Sequence, residues 1–245
     1  MAYENIIFLT EVESTNNYAN QLVLSKAAVE GTVVLALHQK KGRGQQGNHW
    51  ESEAGKNLLA SIILYPNFLH AAKQFYLSKI VSLALTDFLK KETNDISIKW
   101  PNDIYIHNKK VAGILIENAI KGQNISSAII GMGLNLNQEK FLSDAPNPVS
   151  LKQITGKDYE MEKIAQIISE KIEKWYHKLK NGCFDEIDSA YFKLLFRANE
   201  WAFYSKQSNQ FEAKINGIDE FGQLILIDRK GVLSKYMFKE VEFVL

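Results

Sequence analysis

The sequence has little cysteine, no long apolar run and almost no net charge. One cysteine, Cys183, occurs in 245 residues, so the chain cannot build an internal disulfide framework or a multi-cysteine metal cluster. This usage is typical of a reducing compartment. No apolar run reaches the length needed to span a membrane, and residues 1–7 lack the pattern of a secretory signal peptide. The sequence therefore predicts a soluble, cytoplasmic protein that does not insert into membranes.

The balance of charges indicates which binding partners are expected. The chain has 29 Lys and Arg residues against 28 Asp and Glu residues, which gives a net charge of +1. This balance argues against a strong general attraction to DNA or anionic lipid, although it does not exclude a local basic patch. Hydrophobic residues make up 46% of the chain, enough for the core of one large domain, alone or with a small satellite.

Several catalytic motifs are also missing. The chain has no complete phosphate-binding P-loop, no His-Glu-x-x-His and no serine nucleophile elbow. Cys183 follows a predicted helix without activating neighbours, which makes it a poor candidate nucleophile. The inventory suits the binding and polarisation of anions better than a covalent intermediate on the enzyme.

Residues 39–50, Gln-Lys-Lys-Gly-Arg-Gly-Gln-Gln-Gly-Asn-His-Trp, are the most distinctive segment, which we call the glycine loop. It follows an apolar run at 32–37 that is typical of a buried strand. Its glycines allow backbone angles that other residues resist, and its cations could meet a phosphate. A flexible, solvated surface loop explains the same composition. The segment alone leaves these two interpretations about even.

Periodicity predicts a mixed α and β protein. Apolar residues at helical spacing predict helices over 71–91 and 161–180, and Ser14 begins a third. Strands are predicted at 6–9, 32–37, 57–64, 96–100, 104–106, 111–116 and 128–134. After a short helical stretch at 191–196, strand-like runs at 201–204, 211–215, 224–227 and 236–245 predict a small all-β module.

Three more polar segments lie near predicted strand or helix ends. Ser14-Thr15-Asn16 is either an ordinary helix cap or part of a site. In Lys99-Trp-Pro-Asn-Asp103, a lysine follows a predicted strand at a position where it could meet an anion. The alternative is an ordinary solvated strand end. The glycines of Gly131-Met-Gly-Leu-Asn135 indicate close approach of a ligand or another backbone. From the residues alone, the chain is a nucleotide- or acyl-phosphate-handling α/β enzyme.

The order and spacing of five motifs resemble those of biotin–protein ligases, which attach biotin to carboxylase carrier domains. The motifs are Ser14-Thr15-Asn16, Gly42-Arg-Gly-x-x-Gly-x-x-Trp50, Lys99-Trp-Pro-Asn-Asp103, Lys110-Val-Ala-Gly-Ile-Leu-Ile-Glu117 and Gly131-x-Gly-Leu-Asn135. The resemblance implies an α+β fold, a mixed β-sheet flanked by helices as in class II synthetases. It implies a catalytic domain at 1–185 and a C-terminal SH3-like β-barrel at 190–245.

The resemblance also implies the reaction. Biotin and ATP, with Mg²⁺ shielding the phosphates, would form biotinyl-5′-AMP, and a lysine of a biotin carboxyl carrier domain would then accept the biotin. The implied catalytic residues are Lys99 and Arg43. The implied biotin-binding residues are Ser14, Thr15, Asn16, Gln39, Arg43, Gly44, Gln45, Lys99 and Gly113. The implied nucleotide-binding residues are Trp50, Asn102 and Asn135, and no residues are assigned to a metal.

Two departures from the family qualify these expectations. Only thirteen residues precede Ser14, so we expect a short form without the N-terminal DNA-binding domain of some members, and no DNA binding. Members with a Gly-Arg-Gly-Arg loop have arginine where this chain has Gln45, which puts tight retention of the adenylate in doubt.

Two alternatives stay open: a lipoyl or octanoyl ligase of the same fold, and a non-catalytic biotin sensor. The strand at 128–134 and the hairpin at 104–116 could support a homodimer. Burial of the same segments within one subunit is an equally good interpretation.

Overall fold

The first part of the chain forms a seven-stranded mixed sheet. The computed structural model describes residues 5–142 and 147–244. In chain order, the strands of this sheet are β1 (Ile6–Val12), β2 (Val33–Gln39), β3 (Leu58–Leu64), β4 (Ile96–Lys99), β5 (Asp103–Ile106), β6 (Lys109–Lys121) and β7 (Asn124–Leu134). Their order across the sheet is β1-β2-β3-β7-β6-β5-β4. β1 and β2 are parallel, and every other neighbouring pair is antiparallel. The predicted mixed sheet is confirmed.

Helices cover both faces of this sheet. They are α1 (Thr15–Leu24), α2 (Phe75–Leu89), α3 (Leu151–Thr155), α4 (Met161–Lys180) and α5 (Phe184–Lys193). α2 and α4 confirm the two predicted amphipathic helices, and their apolar residues join the main core. α1 lies on the opposite face, where Ala19 packs against Val34, Ile63 and Ile129. None of the helices in the described ranges has the length and apolarity that a membrane crossing would need.

Helix and strand ends differ from the predictions in a few places. The helix predicted at 191–196 begins earlier, at Phe184, because Asp185 and Glu186 give it a favourable acidic first turn. β6 and β7 extend into a long hairpin that turns at Gly122, which has a φ of 64°. The strands considered for a homodimer are interior strands, since β7 lies between β3 and β6, and β5 lies between β6 and β4. They therefore offer no sheet edge to a second copy.

The C-terminal part is an open antiparallel sheet. Its strands are β8 (Trp201–Lys206), β9 (Asn209–Ile218), β10 (Leu224–Asp228), β11 (Leu233–Tyr236) and β12 (Glu242–Phe243), in the order β11-β10-β9-β8-β12. The predicted SH3-like barrel is therefore wrong in one respect: the sheet does not close within the described residues. Its two edge strands, β11 and β12, do not pair with each other. A turn also divides the predicted strand at 236–245. Lys239 adopts a φ of 68° there, which leaves β12 only two residues long. The last predicted strand residue, Leu245, lies outside the described residues.

The two sheets share one hydrophobic core. A single cluster of buried side chains includes Ile98 and Ile104 of the first sheet and Tyr204 and Leu226 of the second. The indole Nε1 of Trp100 also donates a hydrogen bond to the Gly222 carbonyl at 2.9 Å. The predicted domains are 1–185 and 190–245, and α5 spans the residues between them. The division of the chain into these two domains stays a prediction. Residues 1–4 lie outside the described part.

Candidate active site

A cavity of about 540 Å³ opens between the glycine loop, the N-terminus of α1, the middle of β6 and β7, and the turn before β12. This volume is within the range of small-molecule sites, about 300–1,000 Å³. The structure brings nearly all the predicted site residues to its wall: Ser14, Thr15, Asn16, Gln39, Arg43, Gly44, Gln45, Trp50, Lys99, Asn102 and Gly113. Residues distant in the chain thus form one site.

Asn135 is the exception among the predicted site residues. It is 3% exposed and does not belong to the cavity wall. Its Nδ2 donates a hydrogen bond to the Val149 carbonyl at 3.1 Å, and its backbone N–H donates to Val111 at 2.9 Å. Asn135 therefore connects chain segments behind the site through hydrogen bonds.

Hydrogen-bonding side chains fill one end of the cavity. The backbone N–H of Thr15 donates to Gln39 Oε1 at 2.7 Å. Ser61 Oγ donates to Asn16 Oδ1 at 2.6 Å and lies 2.8 Å from Thr15 Oγ1. Ser14 occupies the N-cap position of α1, but its side chain makes no capping hydrogen bond. An ordinary cap therefore does not account for this segment, and its polar groups surround the cavity instead.

Two glycines of β7 make room for side chains. A Cβ added at Gly131 would lie 2.4 Å from Asn16 Oδ1, and one at Gly133 would lie 2.3 Å from Trp50 Cε2. On β6, Gly113 is also in close contact with the Trp50 ring, since its added Cβ would lie 2.9 Å from Cζ3. The predicted close approach at these glycines thus comes from two side chains of the protein's own site. Asn16 and Trp50 therefore pack against adjacent parts of β7.

The glycine loop folds back on itself above the cavity. The backbone N–H of Gly44 donates to Asn48 at 2.7 Å, and that of Trp50 donates to Gly42 at 3.0 Å. A Cβ at Gly42 would lie 2.5 Å from the Trp50 carbonyl oxygen, which explains the glycine there. Arg43 Nη2 donates to Glu117 Oε2 at 2.6 Å. The loop therefore places its arginine at the rim of the cavity, where it pairs with the Glu117 carboxylate.

Three lysines bring positive charge to the cavity: Lys99, Lys110 and Lys239. Lys99 Nζ donates to the Tyr105 hydroxyl at 3.2 Å and lies 5.4 Å from the centre of the Phe243 ring. Burial lowers the pKa of Lys99, and the charge of Asp103 opposes this effect. Lys110 Nζ is 2.7 Å from Asp103 Oδ1. Burial also raises the pKa of Tyr105 to about 12, so its hydroxyl stays protonated near neutral pH.

The sequence predictions missed several residues of this site. Lys110 and Glu117 lie in a motif that was identified, but only its Gly113 was assigned a role. Ser61 lies in the apolar run of β3 and gives no separate signal. Phe238, Val241 and Phe243 also line the cavity, and the strand pattern of the C-terminal module does not show which of its residues turn toward the first sheet.

The described part of the chain contains no metal site formed by protein side chains alone. No cluster of three or more His, Cys, Asp or Glu side chains occurs there with the geometry to hold an ion. Near the cavity, Glu117 already pairs with Arg43, and Asp103 pairs with Lys110.

Comparisons with known proteins give a consistent result. Residues 8–135 match the model of the biotin/lipoate A/B protein ligase family. The chain is 30% identical over 244 residues to the bifunctional ligase/repressor BirA of Bacillus subtilis, covering 95% of this chain and 72% of that protein. It is 31% identical over 227 residues to the biotin–[acetyl-CoA-carboxylase] ligase of Paracoccus denitrificans, covering 89% and 92%. The biotin protein ligase of Aquifex aeolicus, solved in complex with biotin and ATP, superposes with a TM-score of 0.82 at 26% identity, covering 98% of this chain and all of that one.

Proposed function

The chain belongs to the biotin/lipoate A/B protein ligase family, and from this membership we propose that it activates biotin with ATP and transfers it to a carrier protein. The observation that carries the proposal is the single cavity that combines a hydrogen-bonding end, four cations and a tryptophan. Relatives named as biotin ligases and a neighbour holding biotin and ATP support the same substrates.

The first step joins two anions, the biotin carboxylate and the α-phosphate of ATP. A carboxylate oxygen would attack the α-phosphorus, and the bond to the departing pyrophosphate would break. Groups that neutralise the developing charge would provide much of the catalysis. We assign this task to Lys99 and Arg43, and the structure adds Lys110 and Lys239 as further cations at the cavity wall. The partial burial of Lys99 strengthens its interaction with an anion, because water screens it less.

The two ends of the cavity would hold the two substrates. We assign the ureido ring of biotin to the hydrogen-bonding end, where Ser14, Thr15, Asn16 and Gln39 offer donors and acceptors. We assign the adenine to the neighbourhood of Trp50, whose ring can pack against a base. Asn102 lines the same cavity, while its Nδ2 donates to the Ile114 carbonyl at 2.8 Å, so its nucleotide contact would use the remaining carbonyl oxygen.

Mg²⁺ enters this scheme as part of the substrate. Such sites hold Mg²⁺ through one or two carboxylates together with substrate phosphates. Asp103 and Glu242 are the carboxylates that line the cavity in the described part of the chain. Asp103 is engaged by Lys110, and the nearby Glu117 is engaged by Arg43, so we propose that the ion arrives with the phosphates of ATP.

The second step needs an amine from outside. The ε-amine of a carrier lysine would attack the carbonyl of the mixed anhydride and release AMP, so the enzyme needs no nucleophile of its own. The acetyl-CoA carboxylase in the relatives' names points to its biotin carboxyl carrier domain as the acceptor. Three further expectations stay predictions: that the chain does not bind DNA, that it can form a homodimer, and that it is cytoplasmic.

Incubation with ATP, Mg²⁺, labelled biotin and a biotin carboxyl carrier domain tests the proposal. We expect label on the carrier lysine, and none on a carrier in which that lysine is replaced by arginine. Labelled lipoate in place of biotin should give no product. Biotin binding without any transfer would instead identify a biotin sensor, and lipoate transfer would identify a lipoyl ligase.

A further inference from the structure

We propose that Glu117 is a positioning residue that couples the biotin-binding end of the cavity to the glycine loop, an inference that rests on the proposed ligase function. One atom makes both connections. Glu117 Oε2 accepts a hydrogen bond from Asn16 Nδ2 at 2.7 Å and another from Arg43 Nη2 at 2.6 Å. The carboxylate thereby joins a residue assigned to biotin with the cation of the loop.

Glu117 is an internal link of a continuous hydrogen-bonded chain. From the loop, the chain runs through Arg43, Glu117, Asn16, Ser61, Thr15 and Gln39. Ser61 pairs with Gly131 across β3 and β7, and Gly131 has no side chain that would displace Asn16. A displacement of Asn16 by a ligand would therefore move Glu117, and through it Arg43.

A carboxylate suits this position better than a neutral group. Its negative charge strengthens both hydrogen bonds, and each oxygen can accept more than one donor. Asn16 is 3% exposed, so the loss of Glu117 removes a hydrogen-bond acceptor from a buried donor. The side chains of Arg43 and Glu117 are each 40% exposed, so their ion pair is screened by water and contributes less.

These differences in burial set the expected sizes. Glu117→Ala should weaken biotin binding about tenfold through Asn16, as expected for a lost charge-assisted hydrogen bond at a buried donor. It should further lower the rate of adenylate formation by about two- to fivefold through Arg43, the range of an exposed ion pair. Glu117→Gln keeps an acceptor for Asn16 but removes the charge. It should retain biotin affinity within about twofold and show mainly the loss of rate.

A matched control is a second carboxylate that pairs with a residue of the same loop. Glu13 pairs with Lys41 at 2.7 Å, and neither residue lines the cavity. Glu13→Gln therefore removes a carboxylate that holds the glycine loop without touching Asn16. It should leave both biotin affinity and the adenylation rate as in the unmodified chain.

The experiment measures biotin binding by isothermal titration without ATP, and biotin-dependent exchange of labelled pyrophosphate into ATP. We would compare Asn16→Ala, Arg43→Ala, and both together, in the presence of Glu117 and in the Glu117→Ala background. With Glu117 present, the effects of the two substitutions should be non-additive by at least about threefold, and in its absence they should add.

Three results would overturn the inference: unchanged binding and exchange in Glu117→Ala, equal losses in Glu13→Gln, or additivity with Glu117 present. If Glu117→Ala does not fold, the split between affinity and rate in Glu117→Gln decides, and loss of both or of neither would refute the role. An unmodified chain that neither binds biotin nor exchanges pyrophosphate would instead contradict the proposed function.

Discussion

Replacing each of two β7 glycines by alanine should separate biotin binding from ATP use. The two positions differ in the side chain above them. An added Cβ at Gly131 would lie 2.4 Å from Asn16 Oδ1, whereas ordinary contacts begin at 3.4 Å, so Asn16 must retreat by 3.4 − 2.4 = 1.0 Å. Because Asn16 Oδ1 accepts a 2.6 Å hydrogen bond from Ser61, this retreat should disrupt that hydrogen bond.

The loss of this hydrogen bond sets the magnitude. Leaving a buried acceptor unsatisfied costs about 1–3 kcal/mol, which corresponds to a roughly 5- to 150-fold higher Kd for biotin. In Gly133→Ala, the added Cβ would meet the Trp50 ring at 2.3 Å and displace it. That variant should raise the KM for ATP by a similar factor and leave biotin affinity near its original value.

Isothermal titration with biotin alone, and pyrophosphate exchange as a function of ATP at saturating biotin, measure the two effects. Each variant serves as the control for the other, because both place the same group on the same strand. Unchanged biotin affinity in Gly131→Ala would refute the assignment of Asn16 to biotin. Equal losses of both ligands in both variants would mean that the strand itself is damaged.

Three other predictions concern the cations and the loop. Lys99→Ala should abolish biotin-dependent pyrophosphate exchange, because a partly buried cation beside the reacting anions is lost; full exchange would remove Lys99 from the mechanism. Gln45→Arg should slow the release of biotinyl-5′-AMP from the enzyme, since it restores a cation at the cavity wall; an unchanged dissociation rate in a filter assay would contradict this. Burial lowers the pKa of Lys99, so its charged form is lost at a lower pH than in an ordinary lysine, while bound anions favour that form. The alkaline limb of kcat/KM for ATP should therefore lie at lower pH than that of kcat, and coincident limbs would argue against titration of Lys99.

The large elements of this fold could be predicted because periodicity reports burial. α2 and α4 carry apolar residues at helical spacing, and β3 is a continuous apolar run buried at every position. The C-terminal sheet shows the limit of the same reasoning. Its last predicted strand is divided by one turn, in which Lys239 adopts an angle that is unusual for lysine. No apolar pattern encodes that angle.

The site was predictable where short motifs carry several polar groups together. Ser14-Thr15-Asn16 and the glycine loop both line the cavity. Asn135 belongs to a similar motif but lies behind the site, because it follows the last residue of β7 and its side chain turns to the Val149 carbonyl. Glu117 and Ser61 owe their positions to pairing across strands, which requires the register of β3, β6 and β7.

The aromatic contacts between the two sheets have a consequence for thermal denaturation. Tyr105 of the first sheet contacts Phe196 at 5.5 Å between ring centres, Phe196 contacts Phe243 at 6.1 Å, and Phe243 contacts Tyr204 at 5.2 Å. Melting of either sheet would expose rings of the other, so both should unfold in one cooperative transition. A ligand in the cavity between them would then raise the melting temperature of the whole molecule, including strands that it never touches.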